Sequence, residues 1–275
     1  MPIVLGIDVG LVLHRPTSGV CLSGEGRFAV GHACADKLSR AAVIGPVERV
    51  DVVAIDGPVL PRGSLHFGVR PVEKVFCWKP FIGRASVGET RHGIGAALRR
   101  GGCDTAEQFG ELTSGSPCAT PYPRVQQGRH LVEAFPNALL GLMLPEADFD
   151  EQPKHRRGGR FDWLLRAWRE RRGDKRLRRA IGWDDAALWR EIGSNTHHEE
   201  QAGLLCAATA ACVVQNRYTA VGEPQGGYLF FPPWELWAPW AKEGLGRNRD
   251  DPRLPRPVDV WIDGERFAAA EPLPR

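Results

Sequence analysis

Three carboxylates sit where carboxylates are costly. Asp8 and Asp56 each end a short apolar run, and Glu133 interrupts the apolar sequence Leu131-Val132-Glu133-Ala134-Phe135. Removing such a group from water is unfavourable unless it is hydrogen-bonded, ion-paired or bound to a metal. Each has an ordinary alternative: Asp8 and Asp56 can accept loop amides, and Asp56-Gly57-Pro58 reads as a strand-closing turn. Taken together they predict something more specific. In a mostly parallel sheet, functional groups gather beyond the carboxyl ends of the strands. Three acids gathered there would repel one another and call for a hard divalent cation, Mg2+ or Mn2+. Two such cations about 3.5–4 Å apart can bridge a scissile phosphate, so the chemistry expected is phosphodiester hydrolysis with no covalent protein nucleophile.

The elements that must position these groups are legible as hydrophobic patterns. Residues 3–9 predict a buried strand, residues 18–22 and 27–31 a hairpin turning on Gly24-Glu25-Gly26, and residues 50–55 a further strand ending at Asp56. Residues 129–135 predict a third strand carrying Glu133, and Pro136 stops the ladder. A helix is expected over about 88–100, and helical spacing recurs through 161–190. Thr196 to Glu199 fits a capping box ahead of the nearly continuous apolar helix Leu204 to Val214. Trp234, Trp237 and Trp240 recur at spacing three, read first as core packing and second as an aromatic docking strip; residues 258–262 either close the fold or extend an edge.

At 275 residues and 43% hydrophobic the chain can bury a sizeable core. One domain with insertions is expected: 1–240, with an irregular insertion over about 57–128 and a basic helical insertion over about 150–192, followed by a Pro-rich extension at 241–275. Net charge is only +3, too small to imply nucleic acid, but segment 154–179 holds 12 Lys or Arg against 3 Asp or Glu. A solvated basic helix competes here with a contact to DNA or RNA, for which Arg171, Arg172, Arg178 and Arg179 are the candidates. The seven cysteines form no CxxC or other compact zinc pattern. The start of the sequence does not read as a signal peptide, and the run at 202–214 is short for a membrane span, so a cytoplasmic protein is expected.

The ordered set of short motifs resembles the DUF429 family, predicted nucleases of the ribonuclease H-like type. The stretches are Gly6-Ile7-Asp8-Val9-Gly10, Ala54-Ile55-Asp56-Gly57-Pro58, Arg70-Pro71-Val72-Glu73, Val132-Glu133-Ala134-Phe135-Pro136, His198-Glu199-Glu200-Gln201-Ala202 running into Leu204-Leu205-Cys206-Ala207-Ala208, and Gly222 to Gly227 with Pro232. The resemblance implies an α/β fold with a ribonuclease H-like mixed sheet, flanking helices and an elaborated insertion. It also implies an acidic site of Asp8, Asp56, Glu133 and a carboxylate from the last major helix, acting with Mg2+ or Mn2+. The family pattern favours Asp where this chain has Ala202. Glu199 and Glu200 are nearby substitutes, Glu200 being the expected metal ligand and Glu199 alternatively a capping residue. His197 and His198 are placed to move a proton or touch phosphate, or else to make turn hydrogen bonds. Arg70 and Glu73 resemble a family element or, alternatively, form a salt bridge, and neither is assigned a catalytic role.

Two other readings compete. A noncatalytic nucleic-acid-binding or scaffold protein would retain the fold, and Ala202 favours it. An actin-like phosphate-processing enzyme would share the first Gly-rich segment but needs a second phosphate loop, for which Asp56-Gly57-Pro58 is a poor match; GxxxxGK[ST] is absent.

Overall fold

The computed structural model describes residues 2–59, 68–113, 130–153 and 159–274. A continuous apolar run, buried on both faces of the sheet, builds β1 (Val4–Asp8), which continues into the hairpin of β2 (Ser18–Gly24) and β3 (Arg27–Ala33). The turn takes the left-handed backbone at Glu25 (φ 50°) and Gly26 (φ 73°), as a tight hairpin requires. Helix α1 (Lys37–Ile44) follows, its first turn capped by Asp36, whose Oδ1 accepts from Ser39 N at 2.8 Å. Strand β4 (Val52–Asp56) and helices α2 (Pro71–Cys77) and α3 (Gly93–Phe109) come next, so the helix expected over 88–100 starts later and runs further. Strand β5 (His130–Ala134) leads into α4 (Pro136–Leu142), where proline occupies the first turn, in which its missing N–H costs nothing.

The helical stretch resolves into α5 (Gly159–Glu170), α6 (Gly173–Ile181) and α7 (Ala186–Ser194), and the apolar helix is α8 (His198–Val214). The chain ends in β6 (Thr219–Glu223), β7 (Gly227–Phe231), α9 (Pro239–Arg249), β8 (Asp259–Ile262) and β9 (Glu265–Phe267). The segment expected as a C-terminal extension thus contributes two strands to the same sheet.

The architecture is mixed α/β: one nine-stranded sheet, in the order β3-β2-β1-β4-β5-β7-β6-β8-β9, flanked by helices. β1 runs antiparallel to β2 and parallel to β4, and β5 is parallel to β4 and to β7. One face carries Val4, Ala54, Val132 and Ala134 and packs on α8 and α4; the other carries Leu5, Ile7, Val53 and Ile55 and packs on Ile44 of α1 and Ala106 and Phe109 of α3. Trp234, Trp237 and Trp240 are buried in the first of these cores, Trp234 and Trp237 packing at 5.1 Å between ring centroids. Among the described residues, no helix is long and apolar enough to cross a membrane.

Candidate functional site

Parallel register makes Asp8 and Asp56 neighbours. They are the last residues of β1 and β4 and pair with each other across the ladder, so both side chains leave the same face. Burial, reinforced by Glu199, lifts the Asp8 carboxyl to about 7 against the opposing charges of His198 and Arg40. Burial, then the charges of Asp8 and Glu133, pushes Asp56 well above the carboxylate range. Oδ1 of Asp56 is buried and has no hydrogen-bond partner among the described residues. Behind the pair lies a group that the sequence reading missed. Arg40, buried, donates from Nε to Ser18 Oγ at 3.0 Å, and Ser18 Oγ donates to the Asp8 carbonyl at 2.5 Å.

Glycines decide how α8 meets this pair. A Cβ on Gly6 would lie 2.1 Å from the Ala207 nitrogen, and one on Gly19 1.7 Å from the Glu199 carbonyl oxygen. The helix therefore rests backbone on backbone against β1 and β2. Along its underside Glu199 acts on Asp8, and Cys206, two turns later, has its thiol pushed up by burial and by the charges of Asp56 and Asp8. Ala202 lies between these positions in the sequence and is buried. Glu200 turns toward the hairpin edge instead: Oε1 lies 3.0 Å from His32 Nδ1, and Oε2 accepts from Asn195 Nδ2 at 2.8 Å. Of the two adjacent glutamates, Glu199 is the one set toward the aspartate pair.

The capping box expected at Thr196 does not form. His197 is the N-cap residue without a side-chain cap, and its N–H donates to Asn195 Oδ1 at 2.8 Å. An Asn side chain that captures the backbone two residues on competes effectively with a Thr cap.

Glu133 takes a different direction from the aspartates. It pairs with Ile55, whereas Ala134 pairs with Asp56, and side chains one residue apart alternate faces. Its carboxylate is clamped by Arg70, with Nη1 to Oε1 at 2.8 Å and Nη2 to Oε2 at 2.6 Å. Arg70 also donates to the Gly226 carbonyl and lies 3.5 Å from Glu73, confirming the salt bridge read from Arg70 and Glu73. Thr90 and Arg99 extend this buried network through Glu73. Burial raises the Glu133 pKa and Arg70 opposes it. Glu133 reaches the aspartates through its field on Asp56, not as a third member of their row.

A second cluster stands beside the first. His32, His197 and Glu200 each offer a ligand atom, and these atoms lie within 4.8 Å of one another, an arrangement able to hold a metal ion. The two imidazoles are stacked at 4.3 Å and 4°. His32 pairs with Gly19 across the hairpin, so the first turn of α8 stands over the gap with the histidine to one side. His197 Nδ1 also lies 3.3 Å from Glu199 Oε2. His198 faces Asp162 at 2.9 Å and meets the Phe161 ring edge at 4.8 Å.

Of the basic candidates, Arg171 is paired with Asp148 at 2.5 Å and Arg178 with Asp184 at 2.7 Å, while Arg172 and Arg179 are exposed. Residues 154–158 of the basic segment lie outside the described residues. A cleft of about 320 Å³ adjoins His198 and is lined by Asp162, Arg166, Arg169, Thr196 and Gln201 among others. Arg169 anchors its floor by donating to the carbonyls of Ile192 at 2.8 Å and Asn195 at 3.0 Å. Comparison of the chain with family models, with curated proteins and with solved structures finds no match.

Proposed function

We propose that this protein is a divalent-metal-dependent hydrolase of nucleic-acid phosphodiester bonds on a ribonuclease H-like fold. The observation that carries the reading is the Asp8–Asp56 pair at neighbouring strand ends, in which one Asp56 oxygen is buried and has no hydrogen-bond partner among the described residues. An antiparallel β1–β3 meander continued by parallel β4 and β5 supports the fold assignment.

The residues fit a hard cation. Asp8, Asp56 and Glu199 supply only oxygen donors, which suit Mg2+ or Mn2+, and a carboxylate pair raised by its own burial gains most when positive charge arrives. Such an ion, when bound, polarises a phosphoryl oxygen and acidifies water. The protein's own part is positional. Asp8 and Asp56 would hold the cation beyond the strand ends, where its charge would offset their own repulsion toward a phosphate. Glu199 accepts a hydrogen bond from the attacking water and takes its proton as the oxygen–phosphorus bond forms. The ester bond breaks on the opposite side, and its oxygen leaves with a proton drawn from solvent. Arg166, at the cleft beside His198, provides a cation for the flanking backbone phosphate.

The noncatalytic reading keeps one observation in its favour: Ala202 places a methyl group where the family pattern has a carboxylate, and Glu133 is fully engaged by Arg70. One assay separates them. Labelled single- and double-stranded DNA and RNA are incubated with the EDTA-stripped chain and with added Mg2+ or Mn2+. Metal-dependent cleavage that is lost in Asp56→Asn, with circular dichroism unchanged, supports the hydrolase. Salt-sensitive binding without cleavage of any substrate supports the binding module.

A further inference from the structure

We propose that His32, His197 and Glu200 form a site for one transition-metal ion of the zinc class, at the edge of the sheet and separate from the Asp8–Asp56 pair. The inference stands independently of the hydrolase reading, since its three ligands are other residues and it concerns another class of metal.

The three side chains come from an edge strand, a helix N-cap and the first turn of the same helix, and their ligand atoms lie within 4.8 Å. His32 Nδ1 and Glu200 Oε1 are 3.0 Å apart. Two ligands of a tetrahedral ion with bonds of about 2.0–2.1 Å stand roughly 3.3 Å apart, so this pair already spans nearly one edge of the polyhedron. The third ligand needs a small movement. Imidazole lone pairs lie in the ring plane, and the two rings are parallel to within 4°, so they do not yet aim at a common point. His197 is 44% exposed and His32 38%, which leaves room for one ring to turn.

Outer groups orient the set in the way metal ligands are commonly held. Asn195 Nδ2 donates to Glu200 Oε2 at 2.8 Å, leaving Oε1 toward His32. Glu199 Oε2 lies 3.3 Å from His197 Nδ1, and a carboxylate behind one imidazole nitrogen directs the other to an ion. Two nitrogens and one oxygen select against Mg2+, which takes oxygen ligands, and favour Zn2+ or Co2+. The aspartate pair, all oxygen, has the reverse preference. Three protein ligands leave a position for water, and the bound ion ties β3 to the start of α8.

The test uses the full chain, stripped with EDTA and dialysed, titrated with Zn2+ against a chromophoric chelator. We expect one equivalent bound with Kd in the micromolar range or tighter, weakened at least tenfold in His32→Ala and in Glu200→Gln, and unchanged in Asp8→Asn. Co2+ at the same site should give visible absorption that His32→Ala removes, and millimolar Mg2+ should not displace either ion. His32 lies on the edge strand β3 and Glu200 in the first turn of α8, and circular dichroism verifies folding in each variant. Absence of stoichiometric Zn2+ binding, affinity unchanged by both substitutions, or loss of binding in Asp8→Asn would each overturn the proposal. None of these outcomes depends on nucleic-acid cleavage, so the two readings fail separately.

Discussion

Replacing Asp8 by Asn should stabilise the metal-free protein at neutral pH while removing its response to magnesium. Asp8 is held at about 7 in the folded chain against an ordinary 3.8. A carboxyl raised on folding binds more protons in the native state than in the unfolded one, so stability is full below about pH 4 and is lost as pH rises through about 7. At about 1.36 kcal/mol for each tenfold change in proton affinity, that difference is worth about 4 kcal/mol as an upper bound. Partial exposure of Asp8 and the shared protonation of the pair reduce this to roughly 1–3 kcal/mol, or about 2–9 °C in Tm for a chain of this size. Differential scanning fluorimetry in EDTA at pH 4, 6 and 8 measures it. The Asp8→Asn gain should be near zero at pH 4 and largest at pH 8, where 10 mM Mg2+ raises the Tm of the parent but not of the variant. An equal loss of Tm at every pH, or a magnesium response retained by the variant, would refute the idea that the pair is strained by its own charge.

Substitutions at individual contacts separate the other roles. Glu199→Gln should lower metal-dependent turnover at least tenfold with the fold intact, whereas Glu200→Gln should leave turnover within a factor of two; steady-state cleavage of a fluorogenic oligonucleotide measures both. Arg70→Met strips the buried Glu133 and Glu73 of their cation and should cost roughly 3–5 kcal/mol in urea unfolding. Gly19→Ala places a methyl against the Glu199 carbonyl and should cost roughly 1–3 kcal/mol or more, with turnover falling as the helix start is displaced. Arg172→Gln with Arg179→Gln should flatten the salt dependence of polynucleotide affinity by up to about 2 in logarithmic slope, whereas the acid-paired Arg171 and Arg178 should contribute less when replaced.

Local sequence patterns carry one part of this site and leave the other to tertiary structure. Asp8 and Asp56 were legible because each closes an apolar five-residue strand, and parallel strands of equal length bring their ends together. Glu133 interrupts its strand as visibly, yet its face depends on the register of β5 against β4, where an offset of one residue exchanges it with Ala134. The apolar length of α8 was clear, but its rotation was not: the close approach at Gly6 and Gly19 seats the helix so that the Glu199 charge acts on Asp8 while Glu200 meets His32 and Asn195. His32 gave no local signal, because its significance arises from a hairpin partner and a helix far along the chain. The basic segment was visible as charge, but the acids that pair with Arg171 and Arg178 are Asp148, before α5, and Asp184, after α6.

The seating of α8 on β1 has a consequence for the order in which the protein can be completed. The strand bearing Asp8 leaves a ribosome well before the helix that covers it, His198–Val214, which follows only after the intervening strands and helices. At about 5–20 residues per second this interval is roughly 10–40 s. Throughout it, the sheet face bearing Val4, Cys21 and Ala54 lacks α8, the helix that rests directly on β1 and β2. The nascent β1–β4 segment therefore presents an apolar surface that is not fully closed until α8 arrives, which makes it a natural client for a holding chaperone and makes products that stop before α8 prone to associate.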